Sequence, residues 1–131
     1  MSKRKIIFRF IVFSALFVAF QCANKGPITC EDSLAKLEKM NAKIQKLASS
    51  SVCKATSTCR YIAFGSKPCG GPWRYLVYST SIDTLKLQNL VNEYNELEHQ
   101  LNLRCERISD CMMVSPPQGF KCENNTCIAI Y

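Results

Sequence analysis

The chain has 131 residues, with 9 Cys, 17 Lys and Arg against 10 Asp and Glu, and a single His. That length holds one compact domain and excludes a multidomain enzyme or a repeat array. With 5 Gly, 5 Pro and 47% hydrophobic residues the chain is neither collagen-like nor disordered, and one His leaves little for metal or acid–base chemistry.

Four of the cations, Lys3, Arg4, Lys5 and Arg9, fall in the first nine residues and precede an uncharged apolar run from Phe10 to Phe20. A basic stretch followed by a short apolar one is the layout of a secretory signal peptide, and the run is too short for a transmembrane helix, which needs about 20 apolar residues. We therefore expect residues 1–21 to be removed on export. Of the 17 Lys and Arg, 13 then remain against 10 acids, a balance of +3, and nucleic-acid binding loses its main support.

A signal peptidase that leaves a free N-terminus wants small residues at −1 and −3 of the cut, and no bond between Ala19 and Lys25 supplies both. Ala19-Phe20-Gln21-Cys22 instead resembles the lipobox of bacterial lipoproteins, with Ala19 and Gln21 where the usual pattern has Leu and a small residue. The resemblance covers only the first 22 residues. It implies that the Cys22 thiol carries a diacylglyceryl group, that the chain is cut just before it, and that fatty chains such as palmitate hold the protein to a membrane of the cell envelope, outside the cytoplasm. In the alternative, Cys22 is discarded with the signal peptide and the protein is secreted.

Cysteine parity fits both outcomes, because without Cys22 an even set remains: Cys30, Cys53, Cys59, Cys69, Cys105, Cys111, Cys122 and Cys127. At this density in an exported chain they are expected as four disulfides, for which 105 connectivities exist. Antiparallel helices would bring Cys30 to Cys105, and Cys122 and Cys127 would face one another across a hairpin turn. Of the spacings Cys53-x5-Cys59, Cys59-x9-Cys69, Cys105-x5-Cys111 and Cys122-x4-Cys127 only the last suits a zinc-ligand pair, and with one His and no CxxC neither a structural zinc site nor a thioredoxin-like redox motif is expected, and no cofactor.

Residues 22–29 read as a tether and 30–131 as the domain. Thr29 with Asp32 forms a capping-box pattern, and Leu34, Leu37, Met40, Ile44 and Leu47 give a helical stripe to about Ala48. Lys36, Lys39, Lys43 and Lys46 share that helix and read as a solvated face. Residues 60–64 and 74–79, rich in aromatic and β-branched side chains, read as strands. A second helix runs from about Ser81 to Arg104 on a seam of Leu87, Leu90, Tyr94, Leu97 and Leu101, with His99 off the seam and exposed. Residues 111–114 and 120–131 supply further short strands, the latter turning at Asn124-Asn125. The expected fold class is α+β, two amphipathic helices packed on a small antiparallel sheet and stapled by disulfides.

Gly65-Ser-Lys-Pro-Cys-Gly-Gly-Pro-Trp73 stands out as a working surface, because a pinned Gly/Pro loop carries Lys67 and is followed by the only Trp and by Arg74, the residue types most enriched in binding hot spots. The competing structural role for Trp73 is a core aromatic at a strand start. The leading functional expectation is a non-enzymatic binding module for an unknown protein or envelope ligand. A secreted protease inhibitor with Lys67 as its specificity residue is the alternative, opposed by Pro68 directly after it, and a small hydrolase comes third because the ten acids show no constellation. Asn124-Asn125-Thr126 also matches the N-glycosylation sequon, which has meaning only in a eukaryotic host.

Overall fold

The computed structural model describes residues 28–131; the signal-like segment, Cys22 and most of the tether lie outside them. Helix α1 spans Cys30–Ser49. The Thr29 hydroxyl accepts from the Asp32 amide at 3.1 Å and the Asp32 carboxylate accepts from the Thr29 amide at 3.1 Å, so two otherwise unpaired donors are satisfied reciprocally. The Thr29 hydroxyl, donating to Asp32 Oδ2 at 2.8 Å, and with it the Thr29 amide hold the Asp32 carboxyl below its ordinary pKa. At the other end Ser50 caps the helix, and its hydroxyl donates to Leu47 O at 2.7 Å.

The buried face of α1 is Ser33, Leu37, Met40, Ile44 and Ala48, rotated slightly from the expected stripe, and Leu34 is exposed. The rotation has a polar cause. Ser33 Oγ donates to Thr29 O and accepts from Arg104 of the second helix, so the first turn presents a hydroxyl to its neighbour where Leu34 was expected.

Strands β1 (Cys59–Phe64) and β2 (Arg74–Ser79) pair antiparallel from Cys59↔Ser79 to Phe64↔Arg74. Alternation directs Ile62, Phe64, Leu76 and Tyr78 to the helices, where Phe64, Leu76 and Tyr78 close a core with Ile44, Ala48, Leu87 and Val91. Helix α2 spans Thr84–Arg104 and begins later than the periodicity suggests, because Asp83 is its N-cap and accepts from the Lys86 amide at 2.9 Å. Leu87 and Leu101 are fully buried as expected; Val91 joins them, while Leu90, Tyr94 and Leu97 are half-buried. Tyr94 stacks on Phe64 with ring centroids 4.6 Å apart. His99 is exposed.

The second hairpin, β3 (Gly119–Glu123) and β4 (Thr126–Ile130), turns through Asn124 and Asn125, both at positive φ (49° and 60°). Two successive left-handed residues make the tight turn whose twist matches antiparallel strands, and Asn tolerates that region. The fold is thus α+β with two two-stranded sheets rather than one. Residues 111–114 are irregular and not the expected strand: Met112 and Met113 project into solvent, and the Met112 carbonyl is engaged by the Lys67 ammonium at 2.8 Å rather than by a ladder.

Four disulfides join these layers. Cys30–Cys105 ties the start of α1 to the end of α2, Cys53–Cys122 fastens the second hairpin to the segment before β1, Cys59–Cys127 fastens it to β1, and Cys69–Cys111 links the β1–β2 loop to the segment after α2. The helix-end bridge is the one that antiparallel packing implies. Cys122 and Cys127, by contrast, are register partners that do not bond to each other; each reaches back to the body instead. The outcome favours stability, since bridges across separations of 69 and 68 residues restrict the unfolded chain far more than a bridge within one hairpin would. On the outer face of the first hairpin, Tyr61 packs edge-to-face on Tyr75 at 5.3 Å and meets Phe120 of β3 at 6.1 Å. Among the described residues, no helix is long and apolar enough to cross a membrane.

Candidate binding site

The loop between β1 and β2 is held in place from three directions. Within the loop, Gly70 N donates to Lys67 O and Lys67 N to Gly71 O, both at 2.9 Å, closing a turn that Gly70 and Gly71 complete at φ of 95° and 80°. Gly65, at φ 85°, is needed for space as well as conformation: a Cβ there would stand 2.5 Å from Trp73 Cδ1 and 3.0 Å from Glu98 Oε2.

From α2, three polar side chains spaced by three and four residues reach under the loop, on one helical face. Asn95 Oδ1 accepts from Gly65 N at 2.7 Å while its Nδ2 donates to Ala63 O at 3.0 Å. Glu98 Oε2 accepts from Ser66 N at 2.7 Å, and its Oε1 accepts from the Trp73 indole at 3.2 Å. Asn102 Nδ2 donates to Ser66 O at 2.7 Å. Backbone groups of a non-repetitive loop that packs on a helix must find partners, and this amide–carboxylate–amide row provides them.

The segment after α2 closes the third side. Arg107 donates to Asn102 Oδ1 at 3.2 Å and stands 3.7 Å from Glu98, so the buried carboxylate faces a cation. Lys67 Nζ donates to Asp110 Oδ1 at 2.7 Å and lies 5.2 Å from the Trp73 ring centroid. The Lys67 ammonium holds the Asp110 carboxyl below the ordinary carboxylate range. Burial, reinforced by the charge of Glu98, pushes the Tyr94 phenol up.

Of the three residues expected to form a binding surface, Lys67 is not available. Its side chain is only 5% exposed, and its charge is spent inside the molecule on Asp110 and the Met112 carbonyl. Trp73 sits at 36% exposure with its N–H turned inward to Glu98, part anchor and part surface. Arg74 is exposed and lies across the Phe64 ring at 4.8 Å.

The residues that organise the loop, Asn95, Glu98, Asn102, Arg107 and Asp110, were not singled out from sequence. The only signal for Asn95, Glu98 and Asn102 was a row of polar side chains beside the apolar seam of α2, indistinguishable there from a solvated face; Arg107 and Asp110, beyond the helix, gave none. The structure also opens a cleft of about 310 Å³ lined by Gly70, Gly71, Pro72, Tyr75, Met112, Met113 and Val114, with the Cys69–Cys111 bridge at its edge. Met112 and Met113 are 74% and 95% exposed. Deformable thioethers opposite an open Gly-Gly backbone and a Tyr make an apolar contact surface able to adapt to a partner.

The sulfur atoms of Cys53, Cys59 and Cys127 lie within 4.8 Å of one another, a separation that would suit a thiophilic ion. Each is half of a disulfide, so none offers the thiolate that a metal requires. Geometry and sequence together define a small disulfide-stapled α+β domain with a rigid loop beside an apolar cleft. The chain matches no protein-family model, no curated protein and no solved structure.

Proposed function

We propose that the chain is exported, that a lipid on Cys22 anchors it to a membrane of the cell envelope, and that the domain serves there as a non-enzymatic binding module. Export is supported by the basic and apolar N-terminal segment and by eight cysteines taken up in four bridges, a density suited to an oxidising compartment. The observation that carries the binding reading is the cleft between the clamped loop and Met112-Met113. Its Gly-Gly wall is fixed by hydrogen bonds and a disulfide, so little conformational entropy remains to be lost on binding. The ligand is a protein or envelope component that presents an apolar group to the cleft. A protease inhibitor would need Lys67 in solvent, and its burial leaves that alternative without its specificity residue.

The test has two arms. Cys22→Ala should release the protein from the membrane fraction or stall its processing. A photoreactive residue at position 113 of the anchored protein should give a discrete adduct in intact cells. That adduct should weaken with Val114→Asp and persist with Lys39→Ala plus Lys43→Ala. An adduct formed equally well from position 43 and abolished by salt would move binding to the lysine face of α1.

A further inference from the structure

The exposed aliphatic side chains are unevenly distributed. Among the described residues, the exposed Ile, Leu and Val are Ile28, Leu34, Val52, Leu85, Leu103, Ile108 and Ile130. Four of them, Ile28, Leu34, Leu103 and Ile108, lie within a few residues of the Cys30–Cys105 bridge, at the end of the helix pair where the chain enters the domain. Their exposures are 66%, 46%, 64% and 93%. Val52, Leu85 and Ile130 lie elsewhere in the fold, Val52 between α1 and β1 and Leu85 in the first turn of α2, at the far end of the antiparallel pair.

We propose that this end of the helix pair docks on the lipid bilayer, with Ile28, Leu34, Leu103 and Ile108 entering the headgroup–acyl boundary. The proposal rests on the reading that Cys22 carries the lipid. Six residue steps separate Cys22 from Ile28, and a fully extended chain spans about 3.3–3.6 Å per residue, so the domain can stand no more than about 20 Å from its anchor. At that range the local bilayer is the surface this end meets most often. Four aliphatic side chains at the tethered end are also what interfacial attachment requires, since attachment strength grows with the apolar area withdrawn from water.

The charges here identify the kind of surface. Glu31, Asp32 and Glu106 flank the patch; of the cations beside them, Lys36 stands 3.7 Å from Glu93, and Arg104, which is exposed, donates to the neutral Ser33 hydroxyl and keeps its charge. Three carboxylates against one unpaired guanidinium leave the balance acidic rather than basic. Attraction to anionic headgroups does not explain such a surface, and apolar insertion does. Docking should accordingly need no anionic lipid and should survive salt, the opposite of what the lysine face of α1 would give. It would also orient the molecule, holding the first turn of α2 away from the membrane.

The experiment uses the full chain, purified with its native processing and reconstituted in phosphatidylcholine vesicles with and without brominated acyl chains. Leu103→Trp and Ile108→Trp are compared with Leu85→Trp, Trp73 being common to all three. The expected result is extra quenching at positions 103 and 108, at least about twofold above that at position 85, unchanged in ~0.5 M salt, as for a group seated roughly 5–10 Å into the interface. In the unsubstituted protein, vesicles should slow hydrogen exchange at residues 28–34 and 103–108 but not at 84–88, a readout independent of how the variants fold. Quenching at 103 and 108 no greater than at 85, or no added protection, with the lipid mass present on Cys22, overturns docking and leaves anchoring intact. Absence of lipid mass in the same sample overturns the anchoring reading and docking with it.

Discussion

Glu98 is where the account of the loop is most exposed to test. Its side chain is buried, and its two oxygens accept from Ser66 N at 2.7 Å and from the Trp73 indole at 3.2 Å, with Arg107 3.7 Å away. Glu98→Ala leaves two donors without their acceptor and the half-buried Arg107 without its counter-ion, though Arg107 keeps Asn102 Oδ1. A hydrogen bond to a charged group is worth about 1.5–3 kcal/mol, and two are lost here; the 3.7 Å pair with Arg107, whose guanidinium is about one-third exposed, adds little. Because one carboxylate makes all three contacts, the figures overlap and we expect a loss of about 3–5 kcal/mol in total. Glu98→Gln keeps one acceptor, loses the charge and sets an amide donor against an N–H, and should cost about half as much. Urea unfolding with the disulfides intact reads both values; by calorimetry Glu98→Ala should melt some 15–30 °C lower. Amide exchange at Ser66 should accelerate in both variants. A cost below about 1 kcal/mol for Glu98→Ala, in the range of an ordinary surface substitution, would mean that the row on α2 does not hold the loop.

Three further outcomes follow from the same contacts. Gly65→Ala and Gly70→Ala both place a side chain at positive φ, but only the first drives a Cβ into Trp73, so in chemical denaturation it should be the costlier by about 1–3 kcal/mol; equal costs would show that Trp73 moves freely. Asp110 has its folded pKa lowered by Lys67, so its contribution is present above the ordinary carboxylate pKa and is lost as pH falls through the lowered value; Asp110→Asn should therefore flatten the acid limb of the stability–pH curve, and an unchanged limb would refute the pairing. Replacing Cys30 and Cys105 together by Ser opens a link across 75 residues and should cost about 4 kcal/mol on the chain-entropy model, read by the same unfolding assay; a loss under 1 kcal/mol would indicate that the helix ends are held by Arg104–Ser33 alone.

What could be read from the sequence was whatever depends on local pattern. The Thr29–Asp32 box, the apolar periodicity of both helices, the two aromatic-rich strands and the Asn124-Asn125 turn each follow from neighbouring residues, and each appears in the structure. What failed depends on residues distant in sequence. Lys67 looks like a surface cation until Asp110, 43 residues away, is placed beside it. Cys122 and Cys127 face each other in register, yet Cys53 and Cys59 compete for them and win, because the segment before β1 lies against the second hairpin, with Cys53 N donating to Asn125 O at 2.7 Å. Met112 and Met113 have the composition of a strand, but the Met112 carbonyl is taken by the Lys67 ammonium, 45 residues away in sequence. For the same reason the cleft they line was invisible: it is made by a disulfide and an ion pair that join two loops, and neither loop reveals its partner.

The most direct test of an exported, lipid-anchored and fully bridged protein is the intact mass of the native chain from its own membrane, alkylated under denaturing conditions before and after reduction. The account predicts a chain that begins at Cys22 and carries fatty-acyl mass, takes no label before reduction and takes label on eight cysteines after it. An N-terminus beyond residue 22 without lipid mass would contradict the anchor, and two or more cysteines labelled before reduction would contradict the four bridges on which the loop and its cleft depend.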